Sequence, residues 1–208
     1  MEIEDPSFCF PIGYVMDYNL DIMGYYMDLL AEDDRLIYDF FKLKDEYKQS
    51  SDKTDIFKKV LEADQAIKRI HEKDVYLGDI YEENILIDSN GNPRFVDTDN
   101  YIYKNHGYNV TPWRSKIFRN AYKRKVSNKD NDIFLYSTLV MEFLTGREPM
   151  YQSVNIQNYF ERLLRDIDVD KETKEGLEYI FSDASNKPYI SDVLEDFNPN
   201  EKVYQKYI

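Results

Sequence analysis

Residues 71–100, HEKDVYLGDIYEENILIDSNGNPRFVDTDN, decide how this chain is read. Two short runs, Ile85 to Ile87 and Arg94 to Val96, flank Asn90-Gly91, and that pattern predicts a β-hairpin. With Asn90 and Gly91 as the central pair of a type I′ turn, Asn84 stands directly opposite Asp97 at the open end, with Cα atoms roughly 4.5 to 5.5 Å apart on one face. Asp99 follows close behind and Asp79 lies five residues before Asn84. Such oxygen-bearing side chains suit a hard cation such as Mg²⁺. An ordinary polar hairpin end uses the same residue types, so order and spacing carry the decision.

In order and spacing the stretch resembles the catalytic core of protein kinases, where H-R-D-x-x-x-x-N is followed by a hairpin and D-F-G. The corresponding residues are Leu77-Gly78-Asp79, Asn84 and Asp97-Thr98-Asp99. The resemblance implies that Asp79 orients or deprotonates the acceptor hydroxyl. It makes Asn84 and Asp97, with Asp99 beside them, the ligands of magnesium on the nucleotide phosphates.

Composition bounds the rest. A chain of 208 residues with 42% hydrophobic residues can bury one good core and at most a small second lobe. Cys9 is the single cysteine, so no intramolecular disulfide forms. No apolar run approaches the roughly 18 residues that span a bilayer, and the acidic start MEIEDPSFCF lacks signal-peptide character. A cytoplasmic location is the expectation. The net charge of −13 argues against general nucleic-acid or anionic-membrane binding. Residues 104–129 run against that charge, with eight Lys or Arg and no Asp or Glu. They read either as a solvated basic stretch folded on an acidic body or as a docking segment.

Upstream, Gly13 to Tyr18 and Met23 to Met27 predict a second hairpin. In the kinase resemblance these are the last two strands of the small lobe, with Tyr26, Met27, Asp28 and Leu29 as the hinge whose backbone holds adenine. An edge hairpin packed on helices has the same pattern. Residues 34–48 predict a short amphipathic helix. Asp55 to about His71 predict a longer one, capped by Thr54 or Asp52, with Ile56, Val60, Ala63, Ile67 and Ile70 at helical spacing. At that helix's C-terminus, His71 reads as structural.

Asp132 to Gly146, DIFLYSTLVMEFLTG, is apolar nearly all round and predicts a buried core helix. It resembles the central helix of the kinase large lobe, in which the first aspartate accepts hydrogen bonds from the catalytic-loop backbone, so Asp132 is the implied structural anchor. A plain N-cap needs no such partner. Ile156, Tyr159, Phe160, Leu163 and Ile167 mark another helix, and Thr173, Leu177, Ile180 and Phe181 a further one. Lys187 to Leu194 resembles the R-P-[ST]-x-x-E-x-L segment that opens the last kinase helix.

Several positions depart from the family. Leu77 and Gly78 replace His and Arg, Tyr81 stands at the place of a phosphate-contacting Lys, and Thr98-Asp99 replaces Phe-Gly. No A-P-E follows, and Lys187 occupies the place of that glutamate's arginine partner. There is no Gly-rich loop, and the first lysine is Lys42, past the hinge. Gly78-Asp79 is similar to divergent bacterial kinases and to the H-G-D of aminoglycoside and choline phosphotransferases.

The expected architecture is α+β and mostly α: a protein kinase-like large lobe over residues 31–208, and a remnant small-lobe hairpin with hinge over residues 1–30. The expected activity is ATP- and Mg²⁺-dependent phosphoryl transfer to a protein Ser or Thr hydroxyl, with a partner protein, or a second copy in a homo-oligomer, supplying small-lobe groups. Arg114, Lys116, Lys123, Arg124 and Lys125 are the candidate docking residues for a protein substrate or partner. The alternatives are a pseudokinase that binds without transferring, and a small-molecule kinase.

Overall fold

The β-strands are short, each of five residues or fewer. In the computed structural model, residues 4–37, 51–98, 101–103, 128–145, 160–161, 163–165 and 167–199 are described, 51–53 as backbone alone. The described architecture is α+β and mostly helical. In chain order it runs β1 (Gly13–Met16), β2 (Ile22–Tyr26), β3 (Arg35–Leu36), α1 (Ser51–His71), β4 (Val75–Tyr76), a 3-10 turn (Glu82–Asn84), β5 (Ile85–Ile87), β6 (Pro93–Phe95), β7 (Ile102–Tyr103), α2 (Lys129–Thr145), α3 (Lys171–Ile180) and α4 (Ile190–Val193).

The core forms where α2 meets α1 and α3. Every residue of α2 from Asn131 to Leu144 is buried, as its unbroken apolar sequence requires. α1 contributes a stripe of Phe57, Val60, Ala63, Ile67 and Ile70, all nearly inaccessible. α1 begins at Ser51, so Asp52 and Thr54 lie inside the helix instead of capping it. α2 begins at Lys129 with Asn128 as its cap, whose Oδ1 accepts from the Asn131 amide at 2.9 Å. Gly146, Ile156 and Tyr159 lie outside the described residues, while Phe160, Leu163 and Ile167 are buried.

Two expectations from sequence are revised. Only the first residues of the helix expected over 34–48 are a strand, and Ile37 is already helical: Arg35 pairs with Ile87 and Leu36 with Leu86, so β3 joins β5 and β6 in a three-stranded sheet. Unpaired backbone along β5 is satisfied this way. Residues 38–50 lie outside the described set.

Residues 5–10 do not group with the hairpin of residues 1–30. Phe8 is buried and stacks on Phe95 with ring centroids 4.7 Å apart. The Cys9 amide donates to the Phe95 carbonyl at 2.9 Å, and the Phe95 amide to the Ser7 carbonyl. This segment therefore pairs along β6 and belongs to the body. β1 and β2 form a separate two-stranded sheet. No described helix is long and apolar enough to cross a membrane.

Candidate functional site

The segment that follows α1 is shaped by one buried carboxylate. Asp132, fully buried in the first turn of α2, accepts from the Leu77 amide at 2.7 Å and from the Gly78 amide at 2.8 Å. Gly78 has φ of 74°, the left-handed region that glycine enters without a Cβ penalty. Asp132 Oδ2, the oxygen that takes the Leu77 amide, also lies 3.0 Å from His71 Nε2, and His71 Nδ1 lies 3.0 Å from the Tyr189 hydroxyl. A carboxylate only accepts, so Nε2 carries the proton toward Asp132, and a neutral ring accepts from Tyr189 through Nδ1.

Asp79 comes next, and its surroundings differ in kind. It is half-buried, and no described group donates a hydrogen bond to its carboxylate. Burial alone raises its pKa above the ordinary aspartate value, because the charged form loses water and gains nothing in exchange. Asn84 closes the loop from the other side. Its Nδ2 donates to the Asp79 carbonyl at 3.1 Å, and its own amide donates to the Tyr81 carbonyl. No described donor takes Asn84 Oδ1.

The hairpin that carries Asn84 and Asp97 has a register one residue away from the expected one. Ile85 pairs with Phe95, Leu86 with Arg94 and Ile87 with Pro93. Val96 donates to the Asn84 carbonyl at 3.0 Å, so Val96, not Asp97, stands opposite Asn84. The cause is Asp88. Its Oδ1 accepts from the amides of Asn90 and Asn92, which stabilises a three-residue loop with Gly91 at φ of 89° in place of the two-residue type I′ turn.

Asp97 is exposed and itself has φ of 57°. The strand pleat therefore ends there, and alternation along β6 no longer sets its direction. Asp79 and Asp97 both act on the same two tyrosines. The Tyr81 hydroxyl is raised above its ordinary pKa by burial first, then by Glu83, Asp79 and Asp97. The Tyr101 hydroxyl is raised by burial and then by a set that includes Asp132, Asp97 and Asp79.

Asp99 lies outside the described residues, as do Arg114, Lys116, Lys123, Arg124 and Lys125. Of the expected hinge, Tyr26 ends β2 and its carbonyl accepts from the Ile12 amide at 2.8 Å, so that carbonyl is spent within the hairpin. Met27, Asp28 and Leu29 follow with no backbone hydrogen bond to a described residue. Among the described residues no group of three or more His, Cys, Asp or Glu is arranged to hold a metal ion. The described members of the expected ligand set are an amide oxygen and a carboxylate, Asn84 and Asp97, both hard donors. That fits Mg²⁺, which takes one or two protein carboxylates and leaves its remaining positions to water and phosphate. A cavity of about 680 Å³ between α3 and the 188–198 segment, with Asp168, Glu172 and Glu195 on its wall, shares no residue with this site.

Sequence reasoning missed several supports. His71 and Tyr189 brace Asp132 from positions no periodicity connects. Asp64 on α1 receives both the amide and the hydroxyl of Ser191 at the start of α4. The Lys187 ammonium donates to the Ser182 and Tyr179 carbonyls just past and at the end of α3, a use foreshadowed only by the rarity of a lysine beside an apolar run.

No family model matches the chain. Over 95 residues, 45% of its length, the chain is 30% identical to cAMP-dependent protein kinase type 3 of Saccharomyces cerevisiae. It spans 24% of that protein, about a quarter of the length of the curated relative it matches. Over that stretch the chain is similar to a protein kinase.

Proposed function

We propose that this chain carries a protein kinase-like large lobe and moves the γ-phosphoryl group of ATP to a Ser or Thr hydroxyl of a protein. The observation that carries the reading is Asp79: a half-buried carboxylate with a raised pKa and no described donor, on a loop held by Asp132 on one side and Asn84 on the other. Asp132, whose task is structural, is held by three neighbours, whereas no described group donates to the Asp79 carboxylate. A desolvated, unanswered carboxylate in an accessible position is the kind of group that takes or orients a proton.

In the proposed step the acceptor oxygen bonds to the γ-phosphorus, the bond from that phosphorus to the β,γ-bridging oxygen breaks, and the hydroxyl proton passes to Asp79, leaving ADP and a phosphoester. Asn84 fixes the Asp79 backbone through Nδ2, and in this reading Asn84 Oδ1 and the Asp97 carboxylate are the groups that would hold magnesium. Magnesium bound there supplies charge neutralisation on the phosphates. The similarity to the yeast kinase supports the same reading over less than half of the chain.

A second reading, a kinase-like module that binds without transferring, is favoured by a different observation: no cation among the described residues acts on Asp79. Phosphoryl transfer depends on positive charge around the phosphates. The two readings separate in a single-turnover assay of γ-labelled ATP with Mg²⁺ and casein as acceptor. Transfer that Asp79→Asn reduces on the order of 100-fold or more supports the enzyme, whereas ATP binding with no transferred label supports the module.

A further inference from the structure

Tyr189 is the N-cap residue of α4, yet its side chain makes no cap hydrogen bond there, a task done by short Ser, Thr, Asp or Asn side chains. It is engaged elsewhere. The buried ring has Lys68 Nζ 5.3 Å and Lys129 Nζ 4.9 Å from its centroid, within cation–π range, and its hydroxyl meets His71 Nδ1. The segment that carries it is pinned to both core helices. Asp130 in α2 accepts from the Asn186 and Lys187 amides. From α1, Lys68 donates to Asp192 and Asp64 accepts from Ser191. Tyr189 is thus a fixed post, and the His71 ring leans on it.

A neutral imidazole has one N–H to place. Toward Asp132 it must be Nε2–H, because a carboxylate accepts and does not donate. That tautomer leaves a buried lone pair on Nδ1, and the Tyr189 hydroxyl is its donor. Without the hydroxyl, Nδ1 is a buried acceptor with no described donor, and the ring is held at one end only, free to tilt away from Asp132. The change would be felt at Asp132 Oδ2, the oxygen shared by His71 and the Leu77 amide, while Oδ1 holds the Gly78 amide. Those two amides lie in the backbone just before Asp79, where Gly78 bends the chain at φ of 74°.

We infer that Tyr189 is a positioning residue for Asp79: its hydroxyl holds the His71 ring with Nε2–H on Asp132, and Asp132 so held fixes the loop that presents Asp79. The effect on rate rests on the reading of Asp79 as the proton acceptor in phosphoryl transfer. The hold of Tyr189 on residues 77 and 78 does not.

The test uses the full chain in a His106→Gln background, where His71 is the one remaining histidine, and the variant Tyr189→Phe, which keeps the ring and removes the hydroxyl. Ring ¹⁵N resonances should show Nε2 protonated and Nδ1 bare in the parent, with the Nδ1 signal moving in Tyr189→Phe. Amide exchange at Leu77 and Gly78 should rise about tenfold, with the interiors of α1 and α2 unchanged. Single-turnover transfer from γ-labelled ATP to casein should slow about tenfold. The ATP concentration that half-saturates that rate should stay within about twofold, the mark of a lost alignment and not of lost nucleotide binding. Ser191→Ala, which loosens the same short helix at its Asp64 anchor, should leave both the exchange at residues 77 and 78 and the rate as in the parent.

A parent in which Nδ1 carries the proton overturns the proposal before any variant is made. So does exchange at Leu77 and Gly78 that Tyr189→Phe leaves unchanged, or that Ser191→Ala raises equally, which would make Tyr189 one structural anchor among several. Faster exchange with an unchanged rate in an active parent also overturns it. If the parent transfers no label, phosphoryl transfer is what fails, and the ring and exchange measurements decide the hold of Tyr189 on the loop by themselves.

Discussion

His71 Nε2 lies 3.0 Å from Asp132 Oδ2 and joins the last residue of α1 to the first turn of α2 across 61 positions of sequence. The same carboxylate holds the Leu77 and Gly78 amides, so the junction of two core helices also sets the backbone that presents Asp79. Asp132→Ala removes the acceptor for all three buried donors. The expected loss of stability is on the order of 3 to 5 kcal/mol, read from urea unfolding. Hydrogen exchange at residues 77–80 should rise well before global unfolding does. Unchanged exchange there would show that the loop is held by other contacts.

Asp64 makes stability depend on pH. Burial pushes its carboxyl up to about 6, against the Ser191 donors that pull it down, and its Oδ1 has no partner. A folded pKa above the unfolded value of 3.8 means the native state binds the extra proton. This contribution therefore favours the fold at low pH and is lost as pH rises from about 4 to about 6, on the order of 3 kcal/mol in all. Asp64→Asn should remove that slope while retaining an acceptor for Ser191. Parallel stability curves for parent and variant across the window would refute it.

Gly176 tests the packing of α3. A Cβ there would meet Val193 Cγ1 at 2.8 Å, and a β-branched side chain has little freedom to turn away. Gly176→Ala gains about 1 kcal/mol of helix propensity but overpacks at a cost of roughly 1 to 3 kcal/mol. Net destabilisation is expected in the parent and stabilisation in a Val193→Ala background. A double-mutant cycle by thermal unfolding measures the sign change.

Asp79 has a raised pKa from burial, and a base must be ionised to act. Any transfer activity should therefore fall as pH drops through a value above that of an ordinary aspartate. Because no described donor is lost with the charge, Asp79→Asn should leave unfolding within about 0.5 kcal/mol of the parent. Strong destabilisation by this variant would make Asp79 structural.

The sequence foretold the long elements better than the contacts between them. α1 and α2 were legible because their apolar spacing answers to one packed surface, and the 85–95 hairpin because Asn90-Gly91 punctuates two strands. Its register was not, since the Asp88 carboxylate gathers two amides and lengthens the loop by one residue, a local competition that strand pattern does not encode. Phe8 and Cys9 were read with the N-terminal hairpin because a short apolar run gives no sign of which surface it joins. Asn84 and Asp97 stood out through spacing alone, and the offset between them arises from that longer loop.

The central claim is that Asn84 and Asp97 form, with Asp79, a site for a magnesium nucleotide. Its most direct test is an ATP titration with and without Mg²⁺, on the parent, Asp97→Ala and Asp79→Asn. The account predicts binding that requires Mg²⁺ in the parent, is lost in Asp97→Ala with the fold intact, and persists in Asp79→Asn. Equal Mg²⁺-dependent affinity in Asp97→Ala and the parent, or no ATP binding under either condition, would contradict it.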